Sequence, residues 1–248
     1  MRSSINLILW VHIYFHMKNE RINNKIIKLW NKYFENDKEV YAPLFYDTFA
    51  KNSLLFVGMN PSFSASGFKT IFKDSQYSDL EPKKFFKWKN VSKHLDHIDQ
   101  CIAMDKHAYT NYSLYFGRPI EMAKAVDMPW DHIDLFLYRE TSQTNFMKRI
   151  HDGKRLNDFA LDQLAIFKET LNSINPKCIV VSNAFGSQIV REYLSDELVW
   201  DDKKGFHWYT GGDAKVPIFF TSMLSGQRSL DRWSYERLVW QVKQAIKL

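Results

Sequence analysis

The sequence predicts an α/β fold: a three-layer α/β/α sandwich around a central, mainly parallel four-stranded sheet. Two observations carry the prediction. Four short runs are apolar almost throughout: Leu54-Leu55-Phe56-Val57, Ile133-Asp134-Leu135-Phe136-Leu137-Tyr138, Cys178-Ile179-Val180-Val181 and Val216-Pro217-Ile218-Phe219-Phe220. Strands buried on both faces read this way, as in a parallel sheet covered by helices. Between and around these runs lie segments with apolar residues at helical spacing, and strands alternating with helices make a layered α/β domain.

In chain order, Ile22, Ile26, Leu29, Trp30 and Tyr33 recur at helical spacing with Lys and Asn between them. The first strand run follows at Leu54. The stretch from Phe63 to His107 is polar and basic, with Lys69, Lys73, Lys83, Lys84, Lys87, Lys89 and Lys93 interleaved with Phe72, Tyr77, Phe85, Phe86 and Trp88. It reads either as a nucleic-acid face or lid, or as a loop-helix excursion anchored by its aromatics. After the second run, Leu156, Phe159, Ala160, Leu164, Phe167, Leu171 and Ile174 mark a long helix that Asn175-Pro176 ends. Gly211-Gly212-Asp213 marks a turn before the last run, and Tyr235, Leu238, Val239, Val242 and Ile246 mark a closing helix. Each helix is expected to pack one face on the sheet.

The 248 residues suffice for one sizeable core, and 9 glycines and 7 prolines leave little material for long linkers. We therefore read 17–248 as one domain. Residues 1–16 are a separate matter: Ile5–Phe15 is apolar, too short to span a membrane, and followed by no small-residue cleavage site. Met17 as the true start is the preferred reading, with an extra packed segment as the alternative. The two cysteines, Cys101 and Cys178, form neither a disulfide framework nor a metal pair, which fits a cytoplasmic protein. The formal charge of +6 suits a polyanionic partner such as nucleic acid, and equally suits simple solubility.

The most informative segment is the turn after the first run, Gly58-Met59-Asn60-Pro61-Ser62-Phe63. Ligands of parallel sheets bind beyond the carboxyl ends of the strands. Gly58 permits a sharp turn, and Pro61 keeps Asn60 out of helical geometry. Asn60 then offers one acceptor and two donors at the sheet edge, either to a ligand and a water or to the backbone of the turn itself.

Strand-Gly-Met-Asn-Pro-Ser resembles the first motif of the uracil-DNA glycosylase superfamily, closest to its single-strand-selective and mismatch-specific branches. Two further pieces resemble the family in order and spacing: Cys178–Gly186 as its third strand entering a helix, and Phe219–Arg228 as its last strand and second motif. The resemblance covers about Leu44 to Leu248 as a scaffold with two short motifs. It implies a single domain of that type over 17–248. It also implies that Asn60, framed by Gly58, Met59 and Pro61, positions the water that attacks the deoxyribose carbon. Ser62 replaces the family's usual second Gly.

The second motif departs further. Where the family has a His that stabilises the departing uracil, this chain has Met223-Leu224-Ser225. Backbone N–H groups of the loop are then the remaining anion donors, and loss of one such donor typically costs ~100–1000-fold. The resemblance makes Met223, Leu224, Ser225, Gly226, Gln227, Arg228 and Arg232 the DNA-contacting residues, with Met223 or Leu224 as the wedge that replaces a flipped base. The structural alternative for Arg228 and Arg232 is ion pairing with Asp231 or Glu236. Ser229 is a candidate cap for the helix beginning near Leu230.

The second run ends Tyr138-Arg139-Glu140-Thr141-Ser142-Gln143-Thr144-Asn145, where the family places a uracil-reading Asn near the strand end. Gln143, Asn145 and Asn183 are the substitutes for reading the base, and Phe63 or Phe68 the rings to stack on it, core packing being the alternative for both rings. Arg139 and Glu140 are expected to pair with each other, or Glu140 to act as a base. His94, His97, Cys101 and His107 lack the second ligand pair of a zinc site, and no phosphate-loop, dinucleotide or serine-hydrolase motif occurs.

These readings lead to an expected DNA-repair glycosylase: a monomer that needs no metal or other cofactor, does not enter membranes, and acts on uracil or a related base in single- or double-stranded DNA. A non-catalytic nucleic-acid-binding module on the same fold is the alternative.

Overall fold

The computed structural model describes residues 19–226 and 228–247. Segment 1–16, Met17 and the candidate contact Gln227 lie outside the described residues. In chain order the elements are α1 (Glu20–Phe34), β1 (Leu54–Gly58), α2 (Ala65–Phe72), α3 (Pro82–Phe85), α4 (Trp88–Val91), α5 (Leu95–Asn111), α6 (Ser113–Ala125), β2 (Trp130–Asp134), α7 (Gln143–Ile150), β3 (His151–Asp152), β4 (Arg155–Leu156), α8 (Asp158–Ile174), β5 (Cys178–Ser182), α9 (Ala184–Tyr193), β6 (Leu198–Asp201), β7 (Phe206–Tyr209), β8 (Val216–Thr221) and α10 (Arg232–Ala245).

The fold is the expected α/β sandwich, with a wider sheet. Among the described residues the central sheet has six strands in the order β2-β1-β5-β8-β7-β6. The first four are parallel, and β7 and β6 add antiparallel to the β8 edge. Alternate residues of the parallel strands enter two cores. Leu55, Val57, Ile133, Ile179, Val181 and Ile218 face α1, α8 and α9, whereas Leu54, Phe56, Cys178, Val180 and Phe219 face α6 and α10. Burial on both faces is why these strands read as unbroken apolar runs.

The same reasoning explains what the runs miss. Strand β6 is the sheet edge and β7 lies beside it; both are half-exposed, with polar residues among the apolar ones, so no continuous run marks them. Their turn contains Gly205 at φ 72, a conformation that glycine adopts without strain. The second run is displaced in the other direction. The residues paired to β1 are Trp130–Asp134, and the apolar stretch 135–138 continues past the sheet edge.

The basic stretch after Phe63 folds into α2–α5. Phe68, Phe72, Phe86 and Trp88 are buried, while Lys69, Lys73, Lys83, Lys84, Lys89 and Lys93 are exposed. This is an excursion anchored by its rings, and it lies over the carboxyl ends of β1 and β2. Among the described residues, no helix is long and apolar enough to cross a membrane.

Candidate active site

The turn after β1 is zipped to the chain leaving β2. Leu135 N donates to Gly58 O at 3.1 Å, Phe136 N to Met59 O at 3.0 Å and Glu140 N to Pro61 O at 3.1 Å. Thr141 continues the zip: its Oγ1 donates to Phe63 O at 2.6 Å and lies 3.0 Å from Ser62 Oγ. Asn60 sits inside this seam. Its Nδ2 donates to Glu140 O at 2.8 Å and to Tyr138 O and Pro61 O at 3.3 Å each. The amide nitrogen therefore does the structural work of the turn. That orientation leaves Oδ1, a pure acceptor, as the functional end of the side chain.

Asn60 stands on the wall of a cavity of about 200 Å³ at the carboxyl edge of the sheet. The cavity is smaller than a drug-sized site. Phe63, Phe68, Phe72 and Phe86 line one side, and Tyr109, Tyr115 and Phe116 line another. Burial raises the phenol pKa values of Tyr109 and Tyr115 well above their usual range, with Asp134 among the further causes for both, so each hydroxyl is a neutral donor.

Two of the polar residues of this cavity come from the middle and end of β2. His132 and Asp134 project from alternate positions of the strand onto the same face as Gly58, their register partner being β1. Asp134 is 4% exposed, and its Oδ1 receives no hydrogen bond from any described residue, although His132 Nε2 lies 3.4 Å away. An unsatisfied buried acceptor costs about 1–3 kcal/mol, and His132 Nε2 is the polar group facing this one. Gly58 makes room for this pair. A Cβ there would collide with Asp134 Oδ1 and come within 3.0 Å of His132 Cε1. Gly58 is not in the left-handed region, so the close approach explains it, and the expected sharp turn does not.

Beside this pair lies a buried ion pair. Arg139 Nη2 and Nη1 contact Asp105 Oδ2 and Oδ1 at 2.6 and 3.1 Å, and Arg139 also donates to Ala42 O and Pro43 O. Its guanidinium stacks 4.9 Å from the Phe86 ring centroid. Burial opposes the charge of Arg139, but Asp105 more than offsets it and the Arg139 pKa is raised. The expected Arg139–Glu140 pair is thus replaced by Arg139–Asp105, and Glu140 instead accepts from Ser142 N at 2.8 Å.

The loop after β8 is built differently. Arg118 of α6 donates to Leu224 O and Leu230 O at 2.9 and 2.7 Å and lies over the Tyr235 ring, whose hydroxyl donates to Arg118 O. Ser225 Oγ donates to Tyr115 O at 3.0 Å, tying the loop to the cavity wall from behind. Leu224 is buried in the core shared with α6 and α10, so it is not free to act as a wedge; Met223 is half-buried and forms a bridge with Ser229. Gly226 and Arg228 are exposed. Arg232 pairs with Glu236 at 2.9 Å, the structural alternative for it. The cap of α10 is Asp231, which accepts from Trp233 N and Ser234 N, and not Ser229.

Of the residues expected at the site, the structure brings together Asn60, Pro61, Phe63 and Phe68 on one cavity. Met59 is buried in the core. Gln143 and Asn145 are exposed on the first turn of α7 and line no part of the cavity; Asn183 caps α9 by accepting from Gly186 N. His132, Asp134 and Asp105 also line the cavity, and no sequence motif singles them out. Asp134 carried a readable signal, a lone charge inside an otherwise apolar run. The described residues contain no group of three or more His, Cys, Asp or Glu placed to hold a metal ion, and Cys101 is buried. Compared with known proteins, the chain matches no family model and no curated protein.

Proposed function

We propose that the protein hydrolyses the N-glycosidic bond of uracil or another damaged base in DNA, on a domain of the uracil-DNA glycosylase type. The observation that carries this reading is Asn60. Its amide nitrogen is anchored to three backbone carbonyls while its Oδ1 remains for a water, at the wall of a ring-lined cavity. A flipped base fills the cavity with its plane against Phe63 and Phe68. Asn60 Oδ1 orients the water, whose oxygen bonds to C1′ as the C1′–N bond breaks. The bonding pair leaves with the base; the attacking water sheds one proton and the base anion takes one up, so the step balances as hydrolysis. The last loop offers no histidine, and His132 on the cavity wall is the imidazole available to the departing base. Exposed lysines of α2–α5 and Arg228 supply charge for the phosphates.

The test is base release from end-labelled single-stranded and duplex oligonucleotides, each carrying one altered base. Wild type releases the base, and Asn60→Ala lowers the rate by about 100-fold or more, the cost of a misplaced reactant. Absence of release from every base at high enzyme concentration contradicts the reading. One feature favours the alternative, a binding module: no described residue of the β8 loop lines the cavity. Salt-sensitive DNA binding without release would establish that alternative.

A further inference from the structure

We propose that the outward face of α10 is a stacking platform for single-stranded DNA, formed by Trp233 and Trp240 with Arg237 and Lys243 between and beside them. This surface lies outside the cavity and works whatever reaction the cavity performs.

Four observations lead there. Trp233 and Trp240 are 72% and 61% exposed, whereas Leu238, Val242 and Ala245 of the same helix are buried. One exposed ring is ordinary, but two indoles seven residues apart stand on one helix face, about 10 Å from each other along the axis. Cations fill the intervals: Arg237 is four residues after Trp233 and three before Trp240, Lys243 is three after Trp240, and both are exposed. The one acidic residue of α10, Glu236, is already paired with Arg232 at 2.9 Å, and the Arg232 guanidinium lies 5.5 Å from the Trp233 ring centroid. Three cations against one carboxylate leave this face positive. Finally, hydrogen bonds link the first turn of α10 to the cavity wall. Tyr235 donates to Arg118 O, Arg118 donates to Leu224 O, and Ser225 donates to Tyr115 O.

Unpaired bases stack on aromatic rings whatever their sequence, while cations beside the rings take the phosphates. A duplex keeps its bases stacked on one another and offers the indoles no ring face, so the platform selects single strands. A lipid surface fits the face less well. Helices that lie in a membrane interface bury a continuous apolar face there, and the apolar face of α10 is already in the core. A protein partner also fits less well, because interface cores are depleted of Lys, and here rings alternate with cations.

The test is fluorescence anisotropy of the full chain with a labelled oligothymidylate and with a duplex of the same length. The single strand should bind more tightly. Trp233→Ala and Trp240→Ala should each weaken it by about 5- to 100-fold, the range for one lost stacked base, and leave duplex affinity unchanged. Trp240→Phe keeps a ring and should retain most of the affinity. Arg237→Gln should lower the salt slope of strand binding by about 1. These side chains are exposed, so thermal melting should be unchanged in every variant. Equal affinity for strand and duplex, or strand binding indifferent to both alanine variants, would overturn the proposal. So would tryptophan-dependent binding to anionic phospholipid vesicles, or tryptophan-dependent self-association, in a chain that ignores the oligothymidylate. Base release separates the two readings. Tryptophan-dependent strand binding without release from any oligonucleotide removes the glycosylase reading alone. Release by a chain whose tryptophan variants bind the strand like wild type removes the platform alone.

Discussion

Two loops leave the same carboxyl edge of the sheet, one after β1 and one after β8, and they are built to opposite designs. The β1 turn is held by backbone pairing with the chain beyond β2 and by the Asn60 amide nitrogen, and Asn60, Phe63 and Phe68 line a cavity that also contains His132 and Asp134. The β8 loop is held through its carbonyls by Arg118 and through its Leu224 side chain by the core, which leaves Arg228 outward and nothing toward the cavity. Both segments carry the short motifs that suggested function. Only the first places them against an enclosed space. The two loops differ in what their side chains face: Asn60, Phe63 and Phe68 face the cavity, whereas Leu224 packs into the core.

The comparison can be sharpened by substitutions, in order of expected effect. Arg139→Ala would strand Asp105 as a buried unpaired carboxylate and should destabilise the fold by about 3–5 kcal/mol in denaturant unfolding. A loss under 1 kcal/mol would mean that the buried pair does not hold the cavity floor. Leu224→Ala should cost about 2–5 kcal/mol as a core truncation. If instead it left stability intact and weakened DNA binding, Leu224 would be a wedge after all and the contrast between the loops would fail.

Gly58→Ala should cost about 1–3 kcal/mol through overpacking against Asp134, and adding Asp134→Ala should recover part of it in a double-mutant cycle. Strict additivity would deny the close approach. Arg228→Ala should leave unfolding unchanged within about 0.5 kcal/mol and reduce the salt slope of DNA binding by about 1. The smallest effect belongs to Arg232→Ala, whose exposed pair with Glu236 is worth about 0.3–0.5 kcal/mol.

Much of the fold was legible because parallel strands buried on both faces must be apolar at successive positions, and β1, β5 and β8 are. The half-exposed β6 and β7 break that rule, and β2 hides it, because Asp131, His132 and Asp134 interrupt the apolar character where the strand forms its ladder. The site was legible at Asn60, Phe63 and Phe68, where side chains lie close in sequence to one recognisable turn. It was not legible at Asp134, which lies far along the chain from Gly58 and meets it only through strand register. Gln143 and Asn145, past the strand end, are the amides that local sequence offers, because an acidic residue inside an apolar run looks like an interruption until the neighbouring glycine shows why it is tolerated. Glu236, by contrast, lies four residues from Arg232 on one helix, a spacing that local helix geometry pairs without tertiary knowledge.

The account places the base at the β1 cavity and not at the β8 loop. The most direct measurement is photocrosslinking of an oligonucleotide carrying one 4-thiouracil, a near-ultraviolet-reactive uracil analogue, followed by peptide mapping. Crosslinks at Phe63, Phe68 or Tyr115 are the predicted result. Crosslinks confined to Met223–Arg232 would contradict it.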